Sequence, residues 1–75
     1  MDKARRKKLS GVIEMIETVI NNLEELHEQE QFSLDSVPEN LSASDRFARM
    51  EDNVYYIDEA VENVKEARER LYNVG

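Results

Sequence analysis

Apolar residues recur at alternating steps of three and four along the second half of the chain. Between Phe47 and Leu71, only Arg68 interrupts this spacing. It is the heptad pattern of a helix that buries one stripe of side chains against another helix. The stripe consists of Phe47, Met50, Val54, Ile57, Val61, Val64 and Leu71. The pattern predicts a helix over about residues 43–72.

The first half of the chain predicts another helix, over about residues 3–31. Its apolar residues form two overlapping seams, Val12, Ile16, Val19, Leu23, Leu26 and Leu9, Ile13, Ile16, Ile20, Leu23, His27. Together the seams are wider than the contact with a single neighbouring helix requires. Gly11 lies inside this helix and costs about 1 kcal/mol relative to alanine. It marks either a close approach by another backbone or a weak point in the helix.

Residues 32–42 break both patterns and predict a loop. Pro38 disfavours helix at the residue before it. Ser36 and Ser42 each precede an acidic residue by three positions, which is the spacing of a capping box. Either Ser42 or Ser44 is expected to cap the second helix. The apolar residues of the segment are expected to fold over the end of the hairpin as a plug: Phe32, Leu34, Val37 and Leu41.

Two helices of similar length joined by a short loop predict an all-α fold, an antiparallel two-helix hairpin resembling a coiled coil. A chain of 75 residues buries little apolar surface, and without cysteines it forms no disulfide. The surplus apolar surface therefore predicts that two hairpins dimerise into a four-helix bundle. The residues expected in the core and the oligomer interface are Ile13, Ile16, Ile20, Leu23, Val54, Ile57, Val61, Val64 and Leu71.

The net charge of −7 is unevenly distributed. Residues 1–8 carry five basic side chains and one acidic one, a net +4, whereas residues 9–75 carry five basic and sixteen acidic ones, a net −11. The acidic body should repel duplex nucleic acid and attract basic protein surfaces. No apolar run approaches the roughly 18 residues of a membrane span, and the basic start does not continue as a secretion signal. The expected location is the cytoplasm, that of the host cell if a phage encodes the chain.

Four consecutive cations, Arg5, Arg6, Lys7 and Lys8, form what we call the basic tip. Cations at a helix N-terminus oppose its macrodipole. One interpretation is that the tip pairs with acidic residues at the end of the second helix. The other is an anion site for a small nucleotide at a subunit junction, where arginines bind phosphate and Tyr72 stacks on a base.

Tyr55 and Tyr56 are adjacent, so their side chains point about 100° apart at the edges of the apolar stripe. Together with Asp52 and Glu59 they are the candidate partner-binding residues, because aromatic side chains with a polar tip are good interface anchors. Packing at the rim of the bundle is the alternative for the tyrosines. The many carboxylates of both helices are either a solvated surface or a mimic of a phosphate backbone.

The sequence offers little support for catalysis. It has no pattern that pairs a nucleophile with a base, no glycine-rich phosphate loop, one histidine and no cysteine. We therefore expect neither an enzyme nor a metal or cofactor site.

Three segments, DKARRKKL, SVPENLSASDR and MEDNVYYIDEAVENVKEA, resemble small acidic helical proteins encoded by phages and mobile elements of Gram-positive bacteria. The most distinctive part is the PENL loop at residues 38–41, with Ser44 and Arg46. The resemblance implies a protein that acts by binding, for example by blocking a host enzyme, and it assigns no site residues.

Three hypotheses for function follow. The first is a homo-oligomer that binds and inhibits a host protein, such as one that acts in defence or on nucleic acid. The second is a sponge for a small anionic signalling nucleotide, bound at the basic tip. The third is a structural coiled-coil assembly factor.

Overall fold

The protein is an antiparallel hairpin of two long helices, and the predicted all-α class is confirmed. The computed structural model describes residues 1–75. Helix α1 spans Lys3–Asp35 and helix α2 spans Asp45–Tyr72, with a 3-10 turn at Glu39–Leu41 between them. The hairpin measures 60 × 15 × 13 Å, so it is a single layer of two helices.

Helix α1 begins where the sequence predicts and ends four residues later than expected. The carboxylate of Asp2 accepts a 2.8 Å hydrogen bond from the backbone N–H of Arg5, which caps the first turn. In the last turn, Gln31 donates a 3.0 Å hydrogen bond to Asp35. Ser36 ends the helix by donating from its hydroxyl to the carbonyl of Phe32. The capping box expected at Ser36 is therefore wrong, because this serine closes α1 rather than opening the next turn.

Ser44, rather than Ser42, caps helix α2. The Ser44 hydroxyl accepts a 3.1 Å hydrogen bond from the backbone N–H of Phe47, three residues on. The Ser42 hydroxyl instead donates to the carbonyl of Glu39 and so stabilises the 3-10 turn. Both candidates had suitable side chains, and the extended backbone of Ser44 decides between them.

The contact between the helices is narrow. Only Ile20 and Val61 are buried, with 2% and 5% of their surface exposed. The other residues expected in the core are half-buried: Ile13, Ile16, Leu23, Val54, Ile57, Val64 and Leu71. A helix with one neighbour shields only the stripe that faces it, so the rest of the apolar surface stays exposed to water.

The basic tip extends beyond the end of α2. Residues 1–8 are all exposed, and the Tyr72 hydroxyl at the end of α2 bonds to Glu17. Lys8 precedes Glu17 by nine residues, so the Cα atoms of these two residues are about 13 Å apart along α1. No ion pair joins the tip to the acidic residues at the end of α2, because α1 is the longer helix and runs past that end. The only ion pair at the tip is between Arg5 and Asp2, at 3.8 Å.

Candidate functional site

Asp52, Tyr55, Tyr56 and Glu59 form an exposed surface on α2, which we call the tyrosine–carboxylate patch. Steps of three and four residues along the helix bring these side chains to its outer side. The two rings meet edge to face, with centroids 5.6 Å apart and planes at 63°. Tyr55 and Tyr56 keep 58% and 64% of their surface exposed, so the patch is open to a partner.

A hydrogen bond links the aromatic and acidic parts of the patch. The Tyr55 hydroxyl donates to Oε1 of Glu59 at 3.2 Å. This bond, and then the negative charge of Glu59, raise the pKa of Tyr55 above its usual value. The patch therefore presents neutral aromatic rings bordered by carboxylates. Rings of this kind attract cations over their faces, and carboxylates pair with arginine and lysine.

Tyr55 also lies beside the contact between the two helices. It lines a shallow groove of about 410 Å³ together with His27 and Gln31 of α1 and Asp58 of α2. One tyrosine of the patch thus also lines a groove between the two helices. Tyr56 is not among the residues of this groove.

The structure does not bring the proposed nucleotide-binding residues together within one chain. Arg6, Lys7 and Lys8 have no carboxylate within 4.0 Å, whereas Arg5 is paired with Asp2. The hydroxyl of Tyr72 points away from the tip, toward Glu17. A site that uses the tip and Tyr72 together would need a second chain.

Tyr72, Glu17 and Arg68 form a cluster that sequence reasoning missed. The Tyr72 hydroxyl donates to Oε1 of Glu17 at 2.9 Å, and this bond is the main reason that the pKa of Tyr72 is raised. The Arg68 guanidinium lies 6.0 Å from the centre of the Tyr72 ring. Arg68 forms no ion pair across the hairpin with Glu14 or Glu17. The Glu17 carboxylate accepts its hydrogen bond from Tyr72 instead. The only acidic partner of Arg68 is Glu69, at 4.0 Å.

The loop end carries an apolar groove instead of the predicted plug. Leu34 and Val37 are half-buried, but Phe32 and Leu41 keep 74% and 51% of their surface exposed. Phe32 lies on the last turns of α1, on a side of the helix that does not face α2. The groove has a volume of about 420 Å³, and its apolar lining is Phe32, Val37, Pro38, Leu41, Phe47 and Met50.

Four further apolar side chains of α1 are exposed in a single stripe. Val12, Val19 and Leu26 follow one another at steps of seven residues, two helical turns, and Met15 lies beside them. Val12, Val19 and Leu26 belong to the outer of the two seams of α1, whereas the inner seam faces α2. Val19, at the middle of the stripe, keeps 46% of its surface exposed.

The bond between Tyr72 and Glu17 shows which sides of the two helices share a broad face. Val19 is two residues from Glu17, about 200° around α1, so the exposed stripe lies on the opposite side of the hairpin. Ala67 is five residues from Tyr72, about 140° around α2, and so lies on the same side as the stripe. We call this surface the apolar face, and it comprises Val12, Met15, Val19, Leu26, Ala60 and Ala67.

The chain matches no protein-family model, no curated protein and no solved structure. Neither helix contains a stretch that is both long and apolar enough to cross a membrane. No three acidic or histidine side chains lie close enough together to hold a metal ion.

Proposed function

We propose that this chain is a non-enzymatic binding protein that self-associates through its apolar face and binds a basic surface of another protein through the tyrosine–carboxylate patch. One observation carries the proposal: a hairpin with only two buried residues leaves both of these surfaces exposed to water. An apolar stripe of this kind is typical of a protein interface.

The chemistry of the patch favours a basic partner. Its two rings are exposed next to carboxylates on a body whose net charge over residues 9–75 is −11. Such a field accelerates encounters with positively charged surfaces, and the tyrosines supply contact area at low entropic cost. The resemblance to phage and mobile-element proteins adds a host protein as the partner and inhibition as the outcome.

A charge-matched pair of variants tests the partner surface. The patch variant replaces Asp52 and Glu59 by Lys, and the control replaces Glu24 and Glu25 of α1 by Lys. Both variants raise the net charge by the same amount. A difference in binding between them therefore reports the patch and not the total charge of the protein. We expect the wild type and the control to retain the same basic protein from a host lysate, in amounts comparable with the bait, and the patch variant to lose it. Equal retention by all three proteins would contradict the assignment of the patch.

Self-association has its own measurement. The chain has a mass of 8.8 kDa, so sedimentation equilibrium at micromolar concentration distinguishes a monomer from a dimer of twice that mass. We expect a dimer for the wild type and a weakened one for Val19→Glu, which places a charge in the apolar face. A wild-type monomer throughout this range would overturn this part of the proposal and leave the patch to be tested separately.

Binding of a small anionic nucleotide by the basic tip is a second candidate. It is favoured by three exposed cations, Arg6, Lys7 and Lys8, which have no carboxylate partner within the chain. Calorimetry against cyclic and linear nucleotides tests it, with Arg5→Ala/Arg6→Ala as the variant. Unchanged affinity in that variant would exclude the two arginines as the site.

A further inference from the structure

The pattern of residues on the apolar face indicates how a second copy is placed. We propose that two hairpins pack on each other antiparallel, related by a two-fold axis that passes beside Val19. This arrangement rests on the self-association proposed above and specifies the geometry of the dimer. It brings α1 of one chain against α1 of the second copy, running in opposite directions.

One broad side of the hairpin, of which the apolar face is the middle part, is large enough for a stable dimer. The hairpin measures 60 Å by 15 Å across a broad face, which corresponds to roughly 900 Å². A stable interface buries about 800 Å² on each partner. The second copy must therefore cover most of the length of the hairpin, and a contact confined to one end would be too small.

The exposed stripe of α1 is symmetric about Val19. Val12 lies seven residues before it and Leu26 seven residues after it. A two-fold axis at Val19 thus pairs Val19 with its own copy and Val12 with Leu26 of the second copy. Moving the second copy by about one helical turn would instead place Val12 against Asn22 and Leu26 against Lys8. In the first register all three residues of the stripe meet apolar residues, whereas in the shifted register only Val19 does, opposite Met15.

Charges on the same side of α1 favour this register as well. Lys8 lies four residues before Val12 and Glu30 four residues after Leu26, so both extend the stripe. The two-fold axis at Val19 places Lys8 opposite Glu30 of the second copy, and the symmetry repeats the pair at the other end. Each dimer therefore gains two pairs of opposite charge at the ends of its apolar stripe.

The charge of the whole hairpin selects the antiparallel arrangement over the parallel one. Residues 1–8 have a net charge of +4, whereas residues 28–52 around the loop carry seven acidic and two basic side chains, a net −5. Antiparallel hairpins place each basic tip beside the acidic loop end of the second copy. Parallel hairpins would bring the two basic tips together, where they repel.

Single cysteines test the arrangement, because the chain has no cysteine of its own. We expect Val19→Cys to form a disulfide-linked dimer on mild oxidation, since the two-fold axis brings this position close to its copy. Val12→Cys alone should not cross-link, because its copy lies about 21 Å away along the helix. A mixture of Val12→Cys and Leu26→Cys should give the mixed dimer. Glu24→Cys, on the opposite side of α1, measures random collision.

Charge exchange provides an independent test by sedimentation. Lys8→Glu and Glu30→Lys should each weaken the dimer about 5- to 30-fold, and the double variant should restore it. The proposed arrangement is overturned if Val12→Cys cross-links with itself, if Val19→Cys cross-links no faster than Glu24→Cys, or if the double variant is weaker than either single one. If the wild type is a dimer but fails these tests, self-association stands and only the antiparallel arrangement is rejected. If the wild type is a monomer, both the self-association and the arrangement are rejected.

Discussion

The hydroxyl of Tyr72 donates a 2.9 Å hydrogen bond to Glu17, and no other hydrogen bond joins a side chain of α1 to one of α2. The two residues are 55 positions apart in sequence. The bond holds the end of α2 beside Glu17. The basic tip, near the start of α1, forms no ion pair with α2. The bond also identifies the broad face of the hairpin opposite the apolar face.

The bond between Tyr72 and Glu17 should make stability depend on alkaline pH. The pKa of Tyr72 is raised above its usual value of 10.0, chiefly because its hydroxyl donates to Glu17. The bond therefore stabilises the fold fully below the unfolded-state pKa, and this contribution is lost as the pH rises through the folded-state pKa. We expect wild type to be slightly more stable than Tyr72→Phe at neutral pH and to lose that advantage at alkaline pH. Thermal melts of both proteins across this range measure it.

A second variant identifies the cause of the pKa shift. Glu17→Gln replaces the carboxylate acceptor by a weaker amide oxygen and removes its negative charge, so the pKa of Tyr72 should fall back toward its usual value. Titration followed by the NMR signal of the Tyr72 ring reports this. An unchanged titration in Glu17→Gln would show that the carboxylate is not the cause.

Loss of the buried contact at Ile20 should strongly destabilise the hairpin. Ile20 is one of two buried residues, with 2% of its surface exposed. We expect Ile20→Ala to lower the free energy of unfolding by about 2–4 kcal/mol, and Ile20→Val by about 1 kcal/mol. The exposed neighbour Asn21→Ala is the control and should change it little. Urea unfolding at one fixed protein concentration measures all three variants, and equal effects at both positions would refute the burial.

Replacement of Gly11 by alanine should stabilise α1. A Cβ atom at Gly11 would have nothing within 4 Å, so no backbone of the same chain approaches there. The better helix propensity of alanine should raise the free energy of unfolding by about 1 kcal/mol. Ser10→Ala is the matched control and should give a smaller gain. A loss of stability in Gly11→Ala would show that another chain lies against this position.

The cap at Ser44 should require a side chain that accepts a hydrogen bond. Its hydroxyl accepts the bond from the N–H of Phe47, so Ser44→Ala should cost about 1 kcal/mol. Ser44→Asp should retain most of the stability, since a carboxylate accepts the same bond and suits the helix N-terminus. Urea unfolding compares the two variants. An equal loss in both would mean that the cap does not depend on an accepting side chain.

The extent of the helices was largely predictable from local signals. The spacing of apolar residues located both helices, and Pro38 located the loop between them. The end of α1 was misplaced because Pro38 and the capping-box spacing of Ser36 favoured a loop from residue 32, although Leu34, seven residues after His27, continues the half-buried stripe within the helix. The capping serine was ambiguous because Ser42 and Ser44 have the same chemistry, and only the backbone conformation at Ser44 separates them.

Some features of the candidate surfaces were likewise predictable from the sequence, and others were not. Tyr55 and Glu59 are four residues apart on one helix, so the patch follows from helical geometry and was predictable. The contacts of the basic tip and of Tyr72 were not, because they depend on the register of α2 along α1. Another register of the two helices would have allowed the pairing of the tip with the acidic end of α2 that the sequence suggested.

The sequence by itself determined that this chain forms two amphipathic helices with more apolar surface than one contact needs. Periodicity and composition act within a single helix, so a pattern of residues suffices for that conclusion. The tertiary structure decided which seam of α1 faces α2 and where the end of α2 lies along α1. Both seams were apolar, and only the packing of one helix against the other makes Ile20 buried while Val19, its neighbour, remains exposed to water.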